Sequence, residues 1–301
     1  MRYSGLIFGL RVHSDFLLTD GMTLDVARHC DIIIRASPNM RLHMPPGGGG
    51  NCQVISPQEY HLSWPNIGRF LVRNGREILV DADPGIDETR LCHYLTGTVL
   101  AALLHQRGRL VFHASAVIIK DGAVGFLGDS GQGKSTLALA MHQYGYPLIA
   151  DDILPINLRN GTPMIAPGIA RFKVTTQTAQ ALGIAPDALR CIPEENKREL
   201  KTSASPEANP VPLRRLYALA TGTPAAINSL AGHDALFALI RYAHCIRIIS
   251  PALLAAFFGT LTQCAASIGI RRLIVPHALN ALPDVVRLIV NDMAPTPGRK
   301  E

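Results

Sequence analysis

The sequence predicts a mixed α/β fold, in which a β-rich N-terminal lobe over residues 1–95 precedes a larger α/β domain over residues 96–301. Three observations lead to this prediction. Short strand-like segments and a hairpin turn characterise the first third of the chain. A glycine-rich loop then stands between an apolar strand and a helix, and helical segments recur further along. The 301 residues, 48% of them hydrophobic, suffice for one large domain or a domain with a smaller lobe.

Strand and turn signals define the N-terminal lobe. Asp31–Arg35 is a short apolar run of strand length. Ile67–Arg73 and Glu77–Ala82 are two further strand segments, and Asn74 and Gly75 between them favour the positive φ angles of a tight turn. The sequence therefore predicts a strand followed by a β-hairpin in this lobe.

A glycine-rich segment interrupts the lobe. Residues 44–52, MPPGGGGNC, contain two prolines and the Gly47–Gly50 run, a composition that cannot hold regular structure. We interpret this segment as a disordered spacer, with a mobile flap over a substrate as the alternative. Trp64, the single tryptophan, is predicted to fill the core of the lobe.

The larger domain opens with a helix and a compact unit of strands around a loop. Apolar residues recur at helical spacing over residues 90–107. The unit that follows consists, in order, of strand Leu110–Ile119, strand Ala123–Leu127, loop Gly128–Gly133, helix Lys134–Tyr144 and strand Pro147–Ala150. Gly145 is predicted to end the helix, because glycine readily adopts the left-handed conformation found at helix C-termini.

The remaining chain combines short elements with polar loops. Residues 153–175 are predicted to form short strands and turns, and Glu194–Pro212 to form a polar surface loop. The other predicted elements are helix Thr175–Leu182, strand Leu213–Thr221, helices near 233–243, 251–267 and 280–291, and strand Arg272–Val275. This mixture of strands and helices is typical of an α/β domain.

Charge and cysteine usage argue against several classes of protein. The net charge is +6, but the basic residues form small groups rather than a stripe with interleaved aromatics, which disfavours nucleic-acid binding and suits acidic partners such as ATP. The six cysteines are scattered without zinc-ligand spacing, so we expect reduced thiols in a cytoplasmic protein. No apolar stretch reaches the roughly 18 residues of a membrane span, and the N-terminal residues do not resemble a signal peptide.

The glycine loop matches a phosphate-binding motif at every position. GDSGQGKS fits G-x-x-x-x-G-K-[ST], with an apolar strand before it and a helix after it. Glycines let backbone amides approach phosphate oxygens, and the positive end of the helix attracts the anion. Lys134 is expected to bridge the β- and γ-phosphates, and Ser135 to offer its hydroxyl to Mg²⁺. The predicted nucleotide-binding residues are Gly128, Asp129, Ser130, Gly131, Gln132, Gly133, Lys134, Ser135 and Thr136.

Two aspartates follow the next predicted strand. Asp151 and Asp152 come after one helix, one turn and one short strand, which can bring them beside the phosphate loop in a parallel or mixed sheet. Carboxylates at that point can help hold Mg²⁺ and can accept a proton from an attacking hydroxyl. The alternative is an acidic turn or a helix N-cap.

Residues 112–153 resemble the catalytic domain of the HPr kinase/phosphorylase family, whose nucleotide site is similar to that of phosphoenolpyruvate carboxykinases. The resemblance rests on a His before a hairpin, the GDSG-x-GKS loop, a helix and a turn leading to ADD. In the looser matches over 163–175 and 210–290, PGIARFKV and PVPLRRLYAL are similar to segments of HPr-kinase-like proteins of biosynthetic clusters, including lasso-peptide maturation kinases. Residues 1–95 do not resemble the N-terminal domain of full-length HPr kinases.

The resemblance implies a mixed-sheet P-loop kinase domain that uses ATP and Mg²⁺. It implies that Asp151 is the general base that deprotonates a substrate serine, that Asp152 supports the metal and phosphates, and that His113 lies near the transferred phosphate. For His113, a structural role in the core is the alternative. HPr kinases form oligomers, so the resemblance also implies a homo-oligomer, with a number of subunits that the sequence does not fix.

The chain departs from the family pattern in three respects. Thr136 stands where HPr kinases commonly carry Glu. The family's acidic metal partner after the Asp pair has no clear counterpart, and Arg171 and Lys173 occupy about that region. The family's loop for phosphorolysis is also missing. These departures favour a dedicated kinase over an enzyme that also removes the phosphate.

Several basic residues are weaker candidates for the acceptor side of the site. Arg171, Lys197 and Arg198 could contact an acidic peptide or the product phosphate, with a solvated loop as the preferred interpretation for the latter two. Arg241 and His244 lie one turn apart on a predicted helix and could reach the site, although an ordinary surface face is preferred.

The sequence thus leads to one functional hypothesis and several alternatives. The hypothesis is an ATP-dependent kinase that phosphorylates a serine of a peptide or protein, such as a ribosomally made lasso-type precursor. The alternatives are an HPr-type carrier-protein kinase/phosphorylase, a small-molecule kinase, and a non-catalytic, nucleotide-gated regulatory module. The Asp pair disfavours the last of these, because pure binding needs no base.

Overall fold

The structure is a computed structural model that describes residues 2–24, 29–42, 50–193, 196–202, 209–244 and 251–294. Most of the spacer or flap predicted around the Gly47–Gly50 run lies outside the described residues. Within them, the chain forms a mixed α/β fold with three sheets, which confirms the predicted fold class at this level.

The first sheet contains seven strands. They are β1 Tyr3–Ile7, β2 Leu10–Ser14, β3 Ile32–Ala36, β4 Asn51–Ser56, β5 Glu59–Trp64, β6 Gly68–Arg73 and β7 Glu77–Ala82. Their order is β1-β2-β3-β7-β6-β5-β4, with parallel pairing on both sides of β3 and antiparallel pairing elsewhere. Ile32 and Ile34 of β3 are both fully buried, because alternate side chains of a strand share a face.

The strand and the hairpin predicted in this lobe are confirmed. β3 corresponds to the strand predicted at Asp31–Arg35, and β6 and β7 form the predicted antiparallel pair. Asn74 and Gly75 have φ angles of 55° and 56°. The amide of Arg76 donates to the carbonyl of Arg73 over 3.1 Å, which closes the turn.

A kinked helical segment follows the first sheet. Helix α1 spans Glu88–Tyr94, a wide π turn spans Leu95–Val99, and helix α2 spans Leu100–Gln106. The helix predicted over 90–107 is therefore confirmed, apart from the kink at Gly97, where φ is −97° and ψ is −110°. Trp64 is only partly buried, and its ring packs against Tyr94 with centroids 5.0 Å apart.

Twelve further strands form the other two sheets. They are β8 Leu110–Phe112, β9 Ala114–Ile119, β10 Gly122–Leu127, β11 Leu148–Ala150, β12 Leu154–Arg159, β13 Thr162–Ile165, β14 Arg171–Thr175, β15 Leu189–Cys191, β16 Lys197–Lys201, β17 Val211–Thr221, β18 Ala226–Ser229 and β19 Gly269–Val275. The nine-stranded sheet has the order β11-β9-β10-β17-β13-β12-β8, with β19 beside β17 and β18 beside β19. Pairing of β17 with β10 and with β19 is parallel, so these three strands end at the same edge of the sheet.

The single strand predicted over Leu110–Ile119 is wrong, because the chain breaks at His113. β8 pairs with β12 before the break, whereas β9 pairs with β10 and β11 after it. The residues on both sides are buried and, apart from Ser115, apolar, so the sequence does not indicate this change of partners.

The third sheet contains three strands in the order β14-β16-β15. The surface loop predicted over Glu194–Pro212 is therefore wrong at Lys197–Lys201, which forms the central strand β16. Glu199 is buried and is followed by Leu200, and the remaining three residues of the strand are basic, a composition that does not indicate a strand.

The remaining helices pack around the sheets. They are α3 Lys134–Gln143, α4 Thr176–Ala181, α5 Gly232–Tyr242, α6 Pro251–Ser267 and α7 Leu282–Asp292, close to the predicted positions. Gly145 follows α3 with φ of 87°, as predicted for the end of that helix. Among the described residues, no helix combines the length and the apolar character needed to cross a membrane.

Buried side chains form two hydrophobic clusters. The larger one includes Ile34 of the first sheet, Leu95 of the π turn and Leu154 of β12, so it contains residues from both sides of position 95. The smaller one includes Leu137 of α3 and Val286 of α7. The division of the chain into domains at residue 95 stays a prediction.

Candidate functional site

The phosphate loop connects the end of β10 to the first residue of α3. Gly131 and Gly133 have φ angles of 85° and 87°, a conformation that L side chains rarely adopt. The carbonyl of Gly133 accepts from the amide of Leu137 at 2.8 Å, so the helix begins directly after the loop. An anion held by the loop would therefore meet both backbone amides and the positive end of α3.

Lys134 is buried inside this loop, with only 6% of its surface exposed. Its Nζ donates to the carbonyls of Gly128 at 2.8 Å and Asp129 at 2.9 Å. Burial, together with the charge of Lys197, lowers the pKa of Lys134 to about 8. A triphosphate would replace neutral carbonyl partners with charged oxygens, which favours the protonated ammonium.

Asp151 lies against the start of α3. β11 and β10 are both antiparallel to β9, so they run in the same direction and end at the same edge. Oδ1 of Asp151 accepts from Ser135 Oγ at 2.9 Å and from Ser115 Oγ at 2.5 Å. Oδ2 accepts from the backbone amide of Lys173 at 3.0 Å. The structure thus brings Asp151 to the phosphate loop and fixes both of its oxygens.

Asp152 has a charged partner, unlike Asp151. Its backbone adopts φ of 79°, which is uncommon for a non-glycine residue. Lys173 Nζ donates to Oδ2 at 3.0 Å, and His113 Nδ1 lies 3.5 Å from Oδ1. Burial would raise the pKa of Asp152, but the charge of Lys173 and the proximity of His113 outweigh it and hold the pKa well below its usual value.

The kinked helix also contacts this aspartate. A Cβ on Gly97 would lie 3.3 Å from Oδ2 of Asp152, so the π turn approaches the carboxylate closely. π turns within helices occur frequently at functional sites. The kink that the sequence did not predict therefore forms part of the wall around the Asp pair.

His113 stands at the break between β8 and β9, beside Asp152. Its Nδ1 lies 2.9 Å from the carbonyl of Asp152, and because a carbonyl only accepts, Nδ1 carries the proton. Burial and the charge of Lys134 lower the pKa of His113, against the opposing effect of Asp152. The ring of His244 is tilted by 32° from that of His113, with centroids 5.9 Å apart, and burial lowers the pKa of His244 to about 4. Both rings are therefore neutral at pH 7.

These groups surround a cavity of about 120 Å³ at the carboxyl edge of the sheet. Phosphate-loop residues, the Asp pair and two basic side chains line it. The lining residues are His113, Ser115, Gly131, Gly133, Lys134, Ser135, Thr136, Asp151, Asp152, Lys173, Val174, Thr175, Thr178 and Lys197. The arrangement can hold an anionic group between a buried ammonium and two carboxylates.

The three candidates for the acceptor side have different positions. Lys197 lines the cavity. Arg198 contacts Cys191 Sγ at 2.7 Å on the exposed side of the third sheet and does not line the cavity. Arg171 is turned toward the π turn, where it donates to Thr96 Oγ1 and to Glu199 Oε2.

Arg171 belongs to a buried ionic network beside the cavity. Glu199, which is 4% exposed, accepts from Arg171 Nη1 at 3.3 Å and lies 2.8 Å from His93 Nε2. Burial would raise the pKa of Glu199, but the His93 hydrogen bond and the Arg171 charge lower it to about 2. Burial lowers the pKa of His93. The network joins α1 and the π turn to β14 and β16.

Arg241 of α5 reaches the phosphate loop. Its Nη2 lies 2.6 Å from Asp129 Oδ2, although both side chains are exposed. The sequence interpretation preferred a surface face for Arg241 and His244. Arg241 is on the surface and still contacts the loop, whereas His244 is largely buried against His113.

Sequence reasoning did not identify Ser115 and Glu199 as site residues. Ser115 is a polar side chain within a fully buried apolar strand, and that contrast is a usable signal for a buried hydrogen-bond partner. Lys173 was noted only as an occupant of its region, although its amide and ammonium contact both aspartates. Glu199 had no signal, because it lies in a mostly basic and polar segment.

The oxygen donors of the site fit a hydrated Mg²⁺ bound to phosphates. Among the residues that the structure describes, no group of three or more His, Cys, Asp or Glu side chains could hold a metal on its own. Mg²⁺ commonly binds through one or two carboxylates together with phosphate oxygens and water. Ser135 Oγ and the carboxylates of Asp151 and Asp152 supply donors of that kind.

Comparisons with known proteins give limited information. No family model matches the sequence, and no curated protein matches it. Among solved structures, the HPr(Ser) kinase/phosphatase from Coxiella burnetii is similar at 14% sequence identity and a TM-score of 0.33, over 60% of this chain and 95% of its own chain. This TM-score is too low to establish a common fold.

Proposed function

We propose that this chain is an ATP- and Mg²⁺-dependent kinase that transfers the γ-phosphoryl group to a serine hydroxyl of a peptide or protein. The observation that carries the proposal is the 2.9 Å contact between Asp151 Oδ1 and Ser135 Oγ. It puts a carboxylate beside the hydroxyl that ends the phosphate-binding motif. Phosphoryl transfer depends mainly on position and charge, and a carboxylate at this point serves both needs.

The loop and Lys134 would bind the phosphates. Lys134 exchanges its carbonyl partners for the β- and γ-phosphate oxygens, and the loop amides surround them. Nδ1 of His113 already donates to the carbonyl of Asp152, so Nε2 is the ring atom left for another hydrogen bond. The negative charge of a nearby phosphoryl group favours the imidazolium form, in which Nε2 donates. When bound to the phosphates, Mg²⁺ offsets their negative charge.

Asp151 is the better proton acceptor of the pair. Its three hydrogen-bond donors are two hydroxyls and one amide, all of them neutral. Asp152 instead forms an ion pair with Lys173, and the lowered pKa of Asp152 makes it a weak base. We therefore assign proton removal from the serine to Asp151, and support of the metal and phosphates to Asp152.

The acceptor is proposed to be an acidic or neutral segment with an accessible serine. Lys197 lines the cavity and Lys173 adjoins both aspartates, so the entrance carries positive charge. A ribosomally made, lasso-type precursor peptide is the acceptor that the sequence resemblance favours. An HPr-type carrier protein and a small alcohol are the alternatives. Incubation of each class with γ-labelled ATP distinguishes them by which one gains the label.

The first test replaces the proposed base. In Asp151→Asn, transfer is expected to fall by about 10²- to 10⁴-fold, the usual contribution of a general base, while Mg·ATP still binds. The readouts are phosphate transfer to an acceptor peptide and ATP affinity by calorimetry. Asp121→Asn, at an exposed turn paired with Arg214, is the matched control and should retain full activity. Undiminished transfer by Asp151→Asn would remove the base assignment.

A second variant tests how the two aspartates divide their roles. Asp152→Asn is expected to raise the Mg²⁺ concentration needed for half-maximal transfer, whereas Asp151→Asn lowers the maximal rate at saturating Mg²⁺. The measurement is a Mg²⁺ titration of initial rates for both variants. If the two effects are exchanged, Asp151 supports the metal and Asp152 is the base. This exchanged assignment is the specific alternative, because Asp151 contacts Ser135, the residue expected to offer its hydroxyl to Mg²⁺.

A non-catalytic, nucleotide-gated module is the competing function of another class. It would bind ATP with the same loop but transfer no phosphate. The buried position of Ser115 and its short hydrogen bond to Asp151 disfavour it, because pure binding does not require a carboxylate fixed in this way. Tight ATP binding without label transfer to any peptide pool would support it.

A further inference from the structure

A second cavity, of about 520 Å³, adjoins the phosphate loop at Gln132. It lies over the end of β17, which neighbours β10 on the side opposite to β9 and β11. The Asp pair follows β11, so the two cavities lie on opposite sides of the loop. Pockets for small ligands usually have volumes of about 300–1,000 Å³.

The floor of this cavity is apolar. Ala218, Leu219 and Ala220 of β17 line it. β10 and β17 are parallel, and the edge where such strands end is where ligands bind in open α/β sheets. The phosphate loop leaves the end of β10, so the neighbouring floor is within reach of a ligand whose phosphates occupy the loop.

Helix α5 supplies the wall. Phe237 lines the cavity with 65% of its surface exposed, so its ring is available to a ligand. Arg241 also lines it and contacts Asp129 of the loop at 2.6 Å, so the wall and the loop are joined. Asp234 and Arg272 supply a carboxylate and a guanidinium to the same lining.

We propose that this cavity binds the ribose and base of the nucleotide, with Phe237 stacking on the base and Asp234 accepting from ribose hydroxyls. The proposal rests on the proposed function, because it requires the triphosphate in the loop. Every base presents a flat π face, and stacking on an aromatic side chain contributes substantially to nucleotide affinity. A carboxylate is a suitable acceptor for the two ribose hydroxyls.

The test compares ATP with tripolyphosphate, both with Mg²⁺, by calorimetry. The wild-type chain is expected to bind ATP at least about 10-fold more tightly than tripolyphosphate. Phe237→Ala should weaken ATP binding by about 10-fold and leave tripolyphosphate binding unchanged. Phe258→Ala, at a phenylalanine that is 51% exposed on α6, is the matched control and should change neither affinity.

A second comparison tests the ribose contact. Asp234→Asn is expected to weaken ATP binding several-fold but to leave the binding of 2′,3′-dideoxy-ATP unchanged. Both Phe237 and Asp234 are exposed, so the variants should fold, and circular dichroism spectra of the variants check this.

Several results would overturn the proposal. Unchanged ATP affinity in Phe237→Ala, or equal losses for ATP and tripolyphosphate, would place the nucleoside elsewhere. Reduced transfer with unchanged ATP affinity would assign the cavity to the acceptor. If wild-type chain binds tripolyphosphate but the Phe237 result fails, only the nucleoside site is rejected. If the wild-type chain binds neither ATP nor tripolyphosphate, the proposed function is rejected as well.

Discussion

The buried position of Lys134 disfavours the positive charge of its ammonium in the absence of a ligand. Its ammonium is almost completely buried, yet its hydrogen-bond partners, the carbonyls of Gly128 and Asp129, are neutral. Burial and the charge of Lys197 disfavour the ammonium more than the nearby aspartates favour it, and the pKa of about 8 reflects this. A triphosphate would add negative charge beside the ammonium, so proton uptake and phosphate binding are coupled at this residue.

This coupling predicts how phosphate affinity depends on pH. The ligand binds best to the ammonium form, so affinity is full below the pKa of about 8 and declines as pH rises through it. Tripolyphosphate affinity should therefore fall by roughly 10-fold between pH 7 and pH 9, because the ammonium fraction of Lys134 falls from about nine tenths to about one tenth over that range. The measurement is calorimetry across that range. Lys134→Ala should bind weakly at every pH, and a slope equal to that of the wild-type chain would assign the titration to another group.

At the scale of a residue, the position of the Asp pair beside the phosphate loop was predictable from the sequence. Asp151 and Asp152 were identified because an acidic pair after a short strand is informative beside a phosphate motif. Their different partners were not predictable, because Ser115 and Lys173 reach them from strands far away in the sequence. Roles that depend on such partners follow from tertiary contacts.

At the scale of elements, the third sheet holds one wall of the site in place. The amide of Lys173 in β14 donates to Asp151, and Arg171 of the same strand donates to Glu199 of β16. Glu199 also contacts His93 of α1, and Arg171 contacts Thr96 of the π turn. The sheet and the kinked helix are therefore connected by hydrogen bonds with little access to water.

Removal of the central carboxylate should destabilise the chain. Glu199→Gln leaves the Arg171 guanidinium partly buried without a counter-charge, and we expect a loss of about 3 kcal/mol in the free energy of unfolding at pH 7. Urea unfolding measures it. Glu77→Gln is the matched control, because Glu77 also pairs with an arginine of a neighbouring strand but on the exposed side, so its loss should stay below about 1 kcal/mol.

The pH dependence of the Glu199 effect has a definite sign. The pKa of Glu199 is lowered on folding from 4.5 to about 2, so its contribution is present above about pH 4.5 and is lost as pH falls toward 2. The stability difference between wild-type chain and Glu199→Gln should therefore narrow between pH 5 and pH 3. A difference that stays constant over this range would show that the effect comes from packing and not from charge.

Predicted and observed elements differ mainly where tertiary contacts decide the outcome. The helices and the strands around the phosphate loop were predictable, because apolar spacing, Gly145 and the loop motif mark them locally. The break at His113 was not, because the chain exchanges one partner strand for two others within a largely apolar segment. β16 was not predictable either, because its basic residues resemble a solvated loop and its pairing with β14 lies outside the local sequence.

At the scale of the whole molecule, several strands end at one edge of the large sheet and bring the functional groups together there. β10 leads into the phosphate loop, β11 into the Asp pair, and β17 to the second cavity. All three run in the same direction, which explains how residues from distant parts of the chain form one site. The loop is thus the link between the cavity of the Asp pair and the cavity of α5.

Nucleotide binding at this edge should stabilise the entire chain, because the site exists only in the folded state. At Mg·ATP concentrations of about 100 times Kd, linkage gives about 2.7 kcal/mol, which corresponds to a rise in Tm of about 5 °C for a chain of this size. Thermal unfolding with and without Mg·ATP measures the shift. Asp121→Asn and Asp151→Asn should keep it, whereas Lys134→Ala should lose most of it. Loss of the shift in Asp151→Asn would show that this carboxylate is needed for binding itself, and a wild-type chain without any shift would reject the nucleotide site.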